Sequence, residues 1–168
     1  MIDSFKFKNI KYNEVFLFQR IRMKKILPLA SLLVGFAFAG DKMLVTGFSP
    51  LGVDETAAKL QNILKEKGLK VFGVFEHSKL AKEVNLEMRD TVVVAFGAPK
   101  AGTPLMQCEP SIALELPLKM VIYKDNDSKT VVAYRDIKDI AKSYGANCDE
   151  VVNKLSAAQS NFFKAITK

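Results

Sequence analysis

The sequence predicts an α+β domain, with a mostly antiparallel sheet of about five strands and helices packed on one face. Three observations predict it. Short runs of β-branched and apolar residues alternate with stretches whose apolar residues recur at helical spacing. Two of those runs flank a stretch rich in turn residues, which reads as a hairpin. The 129 residues from Gly40 to Lys168 suit one domain with one core.

The elements follow in chain order. Residues 43–48 read as a strand. Val53, Ala57, Leu60 and Leu64 fall at i, i+4, i+7 and i+11, the buried stripe of a helix. Asp54 and Glu55 suit its positive N-terminal end, and Gly68 suits its stop. Residues 69–76 alternate as a strand, with Val71, Gly73, Phe75 and His77 on one side and Phe72 and Val74 on the other. A short helix is expected over 78–84. Residues 91–96 are β-branched and apolar on both faces, the pattern of a central, covered strand. Residues 118–123 and 130–134 form the hairpin around Asp125-Asn126-Asp127-Ser128. Val151, Leu155, Ala158, Phe162 and Ala165 mark a second long amphipathic helix.

Ahead of this domain, residues 23–39 have the order of a secretory signal peptide. Lys24 and Lys25 form a positive start, residues 26–38 are an uncharged apolar run, and Ala37-Phe38-Ala39 supplies small residues for cleavage before Gly40. The run is too short for a bilayer core, which needs about 20 apolar residues. Met23 is the expected start, and residues 1–22 are an expected spurious or disordered extension. The expected location is the periplasm or the exterior, with no stable membrane span after cleavage.

The whole chain carries +7, but residues 1–39 hold seven Lys or Arg and only two acids. The remainder keeps 18 basic and 16 acidic residues, a net of +2. A nucleic-acid partner would need a basic stripe that this remainder lacks.

The most distinctive stretch is Gly97-Ala98-Pro99-Lys100-Ala101-Gly102-Thr103-Pro104-Leu105-Met106. It reads as a glycine-containing loop that follows a strand and leads into a helix, which invites comparison with a phosphate-binding loop. Thr103 stands where such a loop needs Lys, and Pro99 and Pro104 remove backbone donors that a phosphate cradle would use. Together with Phe75-Glu76-His77, Leu116-Pro117-Leu118-Lys119 and Val132-Ala133-Tyr134, this stretch resembles the domain of unknown function DUF302 family in order and spacing. The resemblance runs from about Asp54 to Gly145. Glu76 stands where the family usually has Asp, and Ala98 where it usually has Asn. The resemblance implies a TATA-binding-protein-like arrangement of strand, helix, four strands and helix, and assigns no activity.

His77, the one histidine, sits at a strand end beside Glu76 and before Ser78. A neighbouring acid can raise a histidine's pKa and orient its ring, but successive strand residues point to opposite faces. A structural histidine holding the turn is the competing reading. Cys108 and Cys148, the two cysteines, are a candidate disulfide in an oxidising compartment. A soft-metal site for copper from His77, Met106 and Cys108 competes with that bridge for Cys108. A hydrolytic enzyme would need a nucleophile, base and oxyanion hole, and Ser78 beside His77 in sequence does not make one.

The expectation is therefore an exported, non-catalytic domain that binds a small ligand or a partner, with a homodimer as one possibility and no required cofactor. Its expected site gathers His77, Lys100, Gly102, Thr103 and Met106 around one concavity. Copper binding is the alternative, and an enzyme of unassigned reaction the weaker one.

Overall fold

Leu60 and Leu64, at the centre of the first helical stripe, are wholly shielded from solvent, and Val53 and Ala57 nearly so. The stripe thus does what its spacing dictates: it seats helix α1 (Val53–Glu66) on a sheet. The computed structural model describes residues 44–167. The expectations for the signal peptide, the cleavage site and residues 1–22 lie outside the described residues.

Before α1 comes strand β1 (Val45–Ser49). After it come β2 (Lys70–Glu76), helix α2 (His77–Glu83) and β3 (Thr91–Gly97). Helix α3 (Pro99–Cys108) and a 3-10 turn (Pro110–Glu115) lead to β4 (Leu118–Lys124) and β5 (Thr130–Tyr134). Helices α4 (Ile137–Ser143) and α5 (Asp149–Ile166) complete the order. The fold is α+β, as the sequence predicts. The five strands run in the order β1-β5-β4-β3-β2, and every neighbouring pair is antiparallel. The β4–β5 hairpin therefore fills the gap between β1 and β3.

One face of the sheet carries Val92, Val94, Phe96, Met120, Ile122, Val132 and Tyr134 into the main core. Helix α1 packs against β2, β3 and β4 there. Helix α5 brings Phe162 edge-on to Phe96 and Phe163 against Tyr134. Phe163 also lies over Gly47, where a Cβ would come within 2.6 Å of the ring, so β1 needs glycine at that point.

Three helices stop by one device. After α1, Leu69 N–H bonds the Leu64 carbonyl and Gly68 N–H the Lys65 carbonyl, with Gly68 at φ +71°. The same pair of bonds ends α2 at Asn85 and α4 at Gly145. Both of those residues also adopt positive φ. This satisfies carbonyls that a helix end otherwise leaves unpaired.

Two expectations need correction, and one helix has no counterpart among them. The stretch at 97–106 is mostly helix: α3 begins at Pro99, where a missing N–H costs nothing, and continues through Pro104. Helix α4 was not expected; it starts at Asp136, whose carboxylate accepts from Lys138 N–H at 2.9 Å. The sidedness of β2 also breaks. Val71 pairs with Phe96 but Gly73 pairs with Ala95, so Phe72 is an extra residue. Beyond it the alternation shifts: Val74 stands opposite core-facing Val94, and Phe75 opposite Val93 on the other face.

Candidate functional site

The bulge in β2 opens the site. It frees the Phe72 ring to lie beside Gly97 at the end of β3, 3.6 Å from where a Gly97 Cβ would stand. Behind that ring the sheet ends in Phe96 and Leu118, which form the floor of a groove. Helix α3 forms one wall with Pro99, Gly102 and Met106, spaced three and four apart on one helical face. Leu105, beside Met106 in sequence, does not line the groove and is fully buried, which anchors α3 to the core. Ala113, Leu116 and Pro117 close the rim, and Leu155 enters from α5. The cavity is about 250 Å³, and every lining residue is apolar.

Such a wall has a definite chemistry. It offers no side-chain hydrogen bond and no charge, so a charged guest would lose its hydration without compensation. An uncharged apolar guest gains roughly 25 cal/mol for each Å² it removes from water.

The expected site residues divide between two places. Gly102 and Met106 line the groove. Lys100 and Thr103 lie on α3 but are exposed and do not line it. His77 is elsewhere. It follows Glu76, which pairs with Val92 near the start of β3, whereas α3 follows Gly97 at its end. About 17 Å of strand separates Val92 from Gly97 at roughly 3.4 Å per residue. The single concavity expected to hold His77 with Lys100 and Met106 is therefore not formed.

At its own end of the sheet, His77 is exposed and opens α2, with its ring stacked near Phe75 at 6.4 Å between centroids. Glu76 turns to Lys79 in an ion pair and does not hydrogen-bond the imidazole. That contact raises the Lys79 pKa, chiefly through the hydrogen bond from its ammonium to the Glu76 carboxylate. The buried neighbour is Ser78, whose hydroxyl accepts from Thr91 N–H at 3.3 Å and ties α2 to β3.

Cys108 and Cys148 are bonded to each other, with Cα atoms 6.4 Å apart. The bridge joins the last residue of α3 to the residue that precedes α5. Cys108, Met106 and His77 thus do not converge as copper ligands. Among the described residues no group of three or more His, Cys, Asp or Glu is placed to hold a metal ion.

A polar cluster that sequence reasoning missed lies behind the 3-10 turn. Arg135 Nη1 donates to Glu115 Oε2 at 3.0 Å, and the Tyr144 hydroxyl donates to Glu115 Oε1 at 3.2 Å. Desolvation, followed by the bond to Glu115, raises the Tyr144 pKa above the usual phenol value. Buried Gln159 accepts from Ile137 N–H at 2.9 Å and donates to the Arg135 carbonyl at 3.2 Å. These bonds fasten β5, α4 and α5 together. Their partners lie 20 or more residues apart, so local spacing gives no sign of them.

Comparison with known proteins agrees with this architecture. A family model described as "Domain of unknown function DUF302" matches residues 46–162. A protein of Brucella suis biovar 1 named fluoride-specific ion channel FluC 1 is 31% identical over 130 residues, covering 76% of this chain and 48% of that one. The FluC 1 protein of Brucella abortus biovar 1 is also 31% identical, covering 76% of this chain and 46% of that one. The chain spans about half the length of these curated relatives. A solved structure of an uncharacterized conserved protein DUF302 from Bacillus stearothermophilus superposes with a TM-score of 0.62 at 18% identity. The superposition covers 74% of this chain and 95% of that one, and it shows the shared fold. The groove residues at 97–106 and 116–118 fall inside the matched span, and the chain belongs to the DUF302 family.

Proposed function

We propose that this domain is an exported, non-catalytic binder of a small, uncharged apolar molecule, held in the groove between α3 and the Gly97 end of the sheet. The carrying observation is the lining: a 250 Å³ cavity walled by apolar residues from four separate parts of the chain. Export is supported by the order of residues 23–39. We do not carry copper forward, because Cys108 is already bonded and His77 stands at the far end of β3.

The relatives' name speaks of a fluoride-specific ion channel. No helix among the described residues is long and apolar enough to cross a membrane. We therefore leave conduction out of the reading for these residues.

The test uses N-phenyl-1-naphthylamine, a neutral apolar dye that brightens when it leaves water. The domain is expected to bind it saturably, and Gly102→Phe to abolish that binding while leaving the far-UV circular dichroism unchanged. A Cβ on Gly102 meets only Leu116, at 3.7 Å, so the first added atom fits and the ring fills the cavity. Undiminished binding by Gly102→Phe, or none by the parent domain, would sink the proposal.

A further inference from the structure

We infer that the Cys108–Cys148 bond is a redox latch on the groove, released by a dithiol reductant of the compartment in which the protein works. The inference rests on the ligand reading above and adds its regulation.

The groove's outer wall is one stretch of chain, residues 99–117, made of α3 and the 3-10 turn between β3 and β4. Two side chains root it in the core, Leu105 and Ile112, both fully buried. The faces that line the groove lie to either side of those roots: Pro99, Gly102 and Met106 on α3, then Ala113, Leu116 and Pro117. Cys108 lies between the roots and, apart from the main chain at either end, carries the covalent cross-link from this wall to the rest of the described fold. Its partner precedes α5, the helix that sends Leu155 into the same groove. The bond thus ties together two elements that both contribute to the groove's lining. Without it, α3 is held by Leu105 and by side-chain packing alone.

The bond is also within reach. Cys108 is exposed and Cys148 half-buried, so an incoming thiolate meets the Cys108 sulfur first. That attack forms a mixed disulfide at Cys108 and breaks the Cys108–Cys148 bond, and Cys148 leaves as a thiolate that takes up a proton. The reductant's second thiol then attacks its own sulfur in the mixed disulfide and frees Cys108 as a thiol. Two electrons pass to the protein, and the reductant departs as a disulfide. The leaving sulfur sits at the N-terminal end of an 18-residue helix, which favours its thiolate, while first-turn Asp149 and Glu150 oppose it.

The experiment compares the oxidised protein, the protein reduced with dithiothreitol, and a Cys108→Ser, Cys148→Ser double variant. Two quantities are read: affinity for N-phenyl-1-naphthylamine, and amide hydrogen exchange by residue. The reduced protein and the double variant are both expected to bind the dye at least tenfold more weakly. Faster exchange should be confined to residues 99–117, with α1 and β3–β4 unchanged. Equal affinity in all three forms would show that the bond is a staple with no control over the groove. Exchange that rises across the whole sheet would overturn the latch as well, because the bond would then hold the fold. If the oxidised protein takes up no dye, the ligand reading fails and exchange alone decides: unchanged protection of residues 99–117 then overturns the latch.

Discussion

The two ends of β3 are built for different things. At the Gly97 end, the sheet stops short under an apolar roof, and Phe72, Phe96, Leu118 and α3 enclose space that no side chain fills. At the Thr91 end, the chain turns at once into α2, and the contacts are small and polar: Ser78 to Thr91 N–H, and Glu76 to Lys79. The first end has volume without charge. The second has the one histidine and its acidic neighbour, neither of which lines the groove. A side chain that looks reactive in sequence and a cavity that can hold a guest are separate properties, and this fold places them a strand's length apart.

The comparison can be broken by substitution. Phe96 is fully buried and carries the packing of the groove end, so Phe96→Ala should cost about 3–5 kcal/mol. Urea denaturation measures that loss, and a cost below about 1 kcal/mol would mean that this end is not packed as described. At the other end, Ser78→Ala removes the acceptor for Thr91 N–H and should cost about 1 kcal/mol. A dye titration of the same variant should show no change in affinity, since Ser78 is remote from the groove. The smallest effects belong to His77→Ala and Lys100→Ala, both exposed. Each should change stability by less than about 0.5 kcal/mol. Each should also leave dye affinity within twofold of the parent, and a tenfold loss in His77→Ala would join the two ends that the structure separates.

Much of this architecture is legible in the sequence because burial leaves a period. The α1 stripe, the covered run at Thr91 and the hairpin around Asp125 all announce themselves through spacing or turn residues. What escapes is whatever depends on one extra residue or on distant partners. The bulge at Phe72 leaves no local mark, yet it shifts the alternation of β2 and supplies a wall of the groove. Helix α4 is only seven residues long, too short for a strong period, although Asp136 before it and Gly145 after it are the usual start and stop signals. Two of the five expected site residues, Gly102 and Met106, line the groove, and sequence reasoning could reach them because they share a helical face. Leu155 was out of its reach, because α5 meets the groove only after the chain has returned through β4, β5 and α4.

The bond between Cys108 and Cys148 has one more consequence. It makes a closed ring of the segment that holds β4, β5 and α4, with two open tails attached at the knot. A protease that cuts the exposed turn at Asn126–Ser128 would produce a broken peptide bond but not two molecules. The pieces would migrate as one species until a thiol was added, and the hairpin strands would remain paired with β1 and β3 on either side of the cut. Damage at this exposed turn is thereby kept within one covalently joined molecule, and a single nick is invisible to any sizing measurement that does not first open the ring.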